Sequence, residues 1–256
     1  MSDITNASHS QMLREILEYG RSLTLCGGDI RFVETTLERL GKVYGAEEMN
    51  VFVISAAIIV TAFDDKGNEE TQSIRITKKI GYDFEKLEAL ADLAAETYQN
   101  PMDIKEFSAK RKAIVAKDQD ILVAYLGGIL AAGGFAIFFG GGLIDGLIAA
   151  VVGIAFVYLT RHFRPYCPND IVFNFFACFI SGIIIHCFNQ SIPGLMPDKI
   201  TIGLIMLPIP GIPITNAVRD MLAGDIITGI LRFVESVLIT LGIAGGFIPA
   251  MTLVGV

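Results

Sequence analysis

LIMLPIPGIPITNAVRDMLAGDIITGILRFVESVLITLGIAGGF, residues 204–247, is the stretch on which the fold turns. It opens as an apolar run, breaks at Pro208, Pro210, Gly211 and Pro213, and restarts as a short polar helix near Thr215. A second apolar run then carries Arg232 and Glu235. Proline removes a backbone donor and clashes with the preceding turn, so these prolines cannot lie within one continuous helix. In lipid, broken backbone survives only where protein or a water-filled cavity satisfies its polar groups. A break beside intramembrane charge is where a substrate path is expected.

Around this stretch the sequence divides into two solvents. Residues 1–120 hold 15 basic and 21 acidic side chains, and residues 121–256 hold only 5 and 6. The first part is expected as a cytoplasmic α+β domain and the second as an all-α transmembrane bundle. The mild acidity, −7 overall, argues against a nucleic-acid partner, which needs a clustered basic face. No positive n-region precedes an apolar core at the N-terminus, so no cleaved signal peptide is expected.

A span needs roughly 20 apolar residues. Segments 121–139, 143–160, 171–188 and 226–248 qualify, and 198–214 begins as a span and then breaks, giving about five spans with one broken helix. Three glycines separate the first two spans, which predicts a tight hairpin. Dense glycine suits close helix packing where lipid offers no hydrophobic drive for association. Basic residues lie before the first span (Lys110, Arg111, Lys112, Lys117), after the second (Arg161, Arg164) and after the break (Arg219), against only Lys199 opposite. By the positive-inside rule the N-terminus is cytoplasmic and the C-terminus outside.

In the first part, residues 9–26 have helical spacing and Gly27-Gly28 ends them; Asp29 caps a second helix. Segments 49–55, 57–63 and 70–77 read as two or three antiparallel strands, with 64–68 a turn. Asp83 caps a third helix that stops near Asn100, and 103–118 form a fourth. His9, Asp29, Arg31 and Glu34 are the polar candidates here, read either as a ligand cluster at the glycine pair or as a cap with solvated ion pairs. No nucleophile motif, phosphate loop or metal-ligand spacing occurs, so neither an enzyme, a metal nor a cofactor is expected. Cys26, Cys167, Cys178 and Cys187 likewise show no ligand spacing and read as packing residues.

Arg232 and Glu235 stand i,i+3 on one helical face and are expected to pair or to face water. As a site, Arg232 would attract a carboxylate and Glu235 would take protons; as structure, they would be an ion pair. Thr215, Asn216, Arg219 and Asp220 follow the break, where the start of a half-helix would suit an anion; Arg219 and Asp220 equally suit an ordinary loop. Asp145 and His186 are expected at the membrane interface, and Asn174 in an interhelical hydrogen bond.

GGDIRFVETTLERLGKVYG (27–45), MNVFVISAAIIVTAFDDKG (49–67) and LPIPGIPITNAVRDMLAGDIITGILRFVES (207–236) carry a resemblance. The chain resembles the threonine/serine exporter family of bacterial membrane proteins, in particular the larger subunit of its split, two-protein form. The resemblance implies export of threonine and serine, or of C4 dicarboxylates such as succinate, across the bacterial inner membrane. It also implies a small helical membrane protein as second subunit, in a homo- or hetero-oligomer. The rival expectation is a membrane anchor for a cytoplasmic sensing or scaffold domain.

Overall fold

The computed structural model describes residues 2–65, 67–77, 81–118 and 120–252, with side chains from Ser10 onward. His9 therefore lies within a described helix, but its side chain lies outside the described residues, as does Lys66 of the 64–68 turn. The chain separates into two compact units, Met1–Asp118 and Gln119–Val256.

The first unit runs α1 (Ser2–Leu25), α2 (Ile30–Val43), β1 (Glu48–Ile54), β2 (Ala57–Phe63), β3 (Glu69–Arg75), α3 (Phe84–Gln99) and α4 (Ile104–Ala116). The strands form one antiparallel sheet in the order β1-β2-β3, with Val51 opposite Val60 and Val60 opposite Gln72. Strand periodicity sends alternate side chains to opposite faces. Met49, Val53, Ile58, Val60, Ala62 and Ile76 join Leu13, Ile16, Leu23, Val33 and Leu37 of α1 and α2 in the core. Phe52 and Ile59 stay exposed on the other face.

The polar candidates of this unit hold the fold together. Asp29 accepts the Phe32 N–H at 2.9 Å as the α2 N-cap. Glu34 accepts the Val53 N–H at 3.0 Å, tying α2 to β1, whose outward edge carries no strand among the described residues. Arg31 is exposed. Arg111, counted above among the basic residues flanking the first span, is buried: it pairs with Glu15 at 3.2 Å, and Ser108 donates to the same carboxylate at 2.6 Å.

The second unit runs α5 (Ile121–Phe138), α6 (Leu143–His162), α7 (Asp170–Ser191), α8 (Pro197–Ile205), α9 (Gly211–Leu222) and α10 (Ile226–Thr252). Among the described residues, α5, α6, α7 and α10 are long and apolar enough to cross a membrane. The expected fourth span differs: the nine residues of α8 reach only about 14 Å at 1.5 Å each, and α9 follows as a separate helix. Glycines set the contacts. A Cβ on Gly153 of α6 would stand 2.8 Å from the Gly128 carbonyl oxygen of α5, and one on Gly133 of α5 would stand 2.9 Å from that of Gly146 of α6. This descending match makes α5 and α6 antiparallel. Gly203 seats α8 on Ala132 and Ala136 of α5 in the same way.

Asp145 joins the loops at one end of the unit. Its carboxylate accepts the Gly142 N–H at 2.7 Å and the Met196 N–H at 2.8 Å, so one side chain serves the starts of α6 and α8. It is buried, in the first turn of α6. A carboxylate this close to two helix starts has backbone donors at hand and no need of water.

Candidate functional site

The prolines act as expected on the break but not on where the next helix begins. The chain leaves α8 through a turn at Met206–Pro208, Pro210 is the buried residue before α9, and α9 starts at Gly211. Gly211 and Pro213 therefore lie in the first turn of α9, and Thr215 is its fifth residue, not its start. Proline suits a first turn, where its missing N–H has no helical partner anyway. That correction weakens the anion reading of the helix start. Gly211 already gives its N–H to the Ile209 carbonyl at 2.9 Å, and Pro213 has none to give.

α9 ends in a turn that decides the site. Gly224 has φ +101°, the Gly224 N–H donates to the Met221 carbonyl at 3.2 Å, and the Asp225 N–H donates to that of Asp220 at 2.9 Å. This is a Schellman stop, and it folds α9 back along α10. A Cβ on Gly229 would meet the Ala217 carbonyl oxygen at 2.8 Å, which measures how closely the helices approach. In that contact Arg232 Nη1 donates to Asp220 Oδ2 at 2.8 Å, with side-chain exposures of 7% and 5%.

The structure thus pairs Arg232 with Asp220 and not with Glu235. Glu235 is exposed and, among the described residues, makes no hydrogen bond or ion pair. The reason is angular: three residues along a helix is 300°, and the narrow stripe against α9 has room for Thr228, Arg232 and Ser236 at a spacing of four. Thr228 and Ser236 were not singled out from the sequence, although that spacing around Arg232 is a readable signal. Ser236 Oγ donates to the Arg232 carbonyl at 2.8 Å. Thr215 is exposed, its hydroxyl bonded to the Gly211 carbonyl at 3.0 Å; Asn216 is half-buried and Arg219 exposed. Of the six expected binding residues, only Asp220 and Arg232 come together as a buried polar pair. On α7, Asn174 is buried, and Ser181 Oγ and His186 Nε2 are buried without a hydrogen-bond partner.

Arg232 lies six residues into α10, in the half that α7 does not cover. Gly242 of α10 packs on Ile171, Gly246 on Cys178 and Ala250 on Gly182, so α7 and α10 run parallel and meet only from about Ile239 onward. Residues 226–238 run on past the start of α7 for about 20 Å, with α9 as their main neighbour. The buried pair clasps this two-helix arm.

No group of three or more potential ligands for a metal occurs among the described residues. Four helices long and apolar enough to cross a membrane, with a further helix interrupted at prolines, are the features of a polytopic membrane protein. The ThrE threonine/serine exporter family model matches residues 14–254, and the chain belongs to that family. It is similar to the "Probable succinate transporter subunit YjjP" of Klebsiella aerogenes, 27% identical over 90% of this chain and 88% of that one. The protein of the same description from Escherichia coli K12 is 25% identical over 94% of both chains. No solved structure matches the chain significantly.

Proposed function

We propose that this chain is one subunit of a secondary exporter that moves small carboxylate-bearing metabolites, threonine and serine or C4 dicarboxylates such as succinate, out of a bacterial cell. The observation that carries the reading is the Asp220–Arg232 pair, buried one short helix after the proline break. A guanidinium held by a single protein carboxylate can exchange it for a substrate carboxylate of the same geometry. Asp220 then becomes the group that a proton or a second cation must satisfy. The names of the relatives support the transport class and a second subunit.

In this reading α8 and α9 together make one crossing, five in all. The N-terminal unit and the loop bearing Arg161 and Arg164 face the cytoplasm, and the C-terminus faces outside. Efflux of labelled succinate and threonine from cells making this chain with a small helical subunit of the same family tests it. Arg232→Lys, which keeps the charge but loses the bidentate fork, is expected to lower efflux about tenfold or more. Unchanged efflux with normal membrane levels removes the pair from the substrate path.

A further inference from the structure

The arm made by α9 and the first half of α10 has its polar groups inside and its apolar groups outside. Ala217, Asp220, Thr228, Gly229, Arg232 and Ser236 are buried between the helices. Outward, Ile227 is 72% exposed, Leu231 53%, Val234 49% and Leu238 43%. Glu235 stands at the edge of that face, exposed and, among the described residues, without a hydrogen-bond or ion-pair partner.

Neither solvent satisfies this face. Lipid suits Leu231, Val234 and Leu238, but leaves an ionised carboxylate without hydration or counter-charge. Water suits Glu235 but exposes a contiguous aliphatic stripe some 20 Å long, of the kind that marks a contact surface. A protein helix with small apolar side chains and one basic group satisfies both. A second copy does not: a two-fold contact places the same face opposite itself, so that Glu235 meets Glu235. The arm's buried base, Arg232, is already committed to Asp220.

We infer that the Leu231–Val234–Glu235–Leu238 face of α10 is the seat of a helix from a different polypeptide, one that brings a lysine or arginine to Glu235. The inference rests on the two-subunit part of the functional reading and adds the surface and the chemistry of the partner. It separates Glu235, a docking residue, from Arg232, a substrate residue, although they stand three positions apart.

The test is assembly, scored without transport. The full chain is co-expressed with a tagged small helical membrane protein of the same exporter family, and its recovery through the tag is measured. Glu235→Lys is expected to lower recovery at least tenfold and Glu235→Gln by a smaller factor. Changing the opposing basic residue of the small protein to Glu is expected to restore recovery of Glu235→Lys. Full recovery of Glu235→Lys overturns the inference. So does failure of every basic-to-Glu change in the partner to rescue it, which also covers a variant that misfolds. If two differently tagged copies of this chain co-purify without the small protein and separate on Glu235→Lys, the occupant is a second copy and the inference fails. Assembly that behaves as expected while the wild-type pair moves none of the tested carboxylates leaves the docking face standing and sinks the exporter reading alone.

Discussion

The two halves of α10 are held by opposite means. From Gly242 to Ala250 the helix touches α7 through small residues, and shape alone makes the contact. From Thr228 to Ser236 it touches α9 at Gly229 as well, and there a buried ion pair adds charge to the fit. A packed glycine seam offers one arrangement, because nothing else fits it. A guanidinium–carboxylate pair can be traded for another pair of equal charge, so the α9 contact is conditional where the α7 contact is fixed.

Filling the seam has the largest expected effect. A Cβ at Gly246 would stand 2.9 Å from Cys178 Cβ and 3.0 Å from the Phe179 nitrogen. Gly246→Leu is therefore expected to cost about 3 kcal/mol or more, read as a fall in folded yield and unfolding temperature in detergent. A seam that tolerates leucine would end the distinction between the halves. Next comes the clasp. Asp220→Ala leaves the Arg232 guanidinium buried without that carboxylate, at an expected cost of about 3–5 kcal/mol. The double variant with Arg232→Met is expected to recover most of it, in a double-mutant cycle on unfolding temperature. Equal losses in the single and double variants would show that packing, and not charge, holds the arm.

The origin of the clasp also shows how far the sequence could be read. Strand alternation at 49–55 and 57–63, caps at Asp29 and Asp83, and the long apolar runs follow from local rules, and the structure has the corresponding elements. The proline break was legible for the same reason. The partner of Arg232 was not, because i,i+3 spacing pointed to Glu235 while the true contact crosses a turn. Ala223-Gly224-Asp225 was the available clue: a glycine stop folds the second helix back on the first, so that a long side chain two turns beyond it, such as Arg232, can reach a carboxylate one turn before it, such as Asp220. Arg111 misled in the same way. Counted by position it is a flanking charge, yet an amphipathic α4 buries it on Glu15.

Smaller effects refine the contrast. Ser236→Ala removes a hydroxyl that serves the carbonyl of its own helix, so a loss of only about 0.5 kcal/mol is expected in the same unfolding assay. A loss as large as that of Asp220→Ala would make the hydroxyl part of the clasp. The N-terminal unit supplies a polar burial unrelated to α10. Burial, aided by the carboxylates of Asp103 and Glu106, pushes the Tyr44 hydroxyl up to about 12. The unfolded chain loses that proton near pH 10, so Tyr44 contributes its full stability below pH 10 and loses it as pH rises toward 12. Its hydroxyl has no hydrogen-bond partner, so Tyr44→Phe is expected to be near neutral at pH 7 and to soften the alkaline loss. Unfolding temperatures of both proteins from pH 8 to 11.5 check this, and parallel curves would contradict it.

The Asp145 carboxylate has a consequence for motion. By holding the Gly142 and Met196 amides at once, it rivets the upper piece of the interrupted helix to the α5–α6 hairpin, with Gly203 as a second fastening. The lower piece, α9, is fastened instead to α10, by the Asp220–Arg232 pair. Any change of angle between the two pieces would therefore fall at residues 206–210, the segment between these two fastenings.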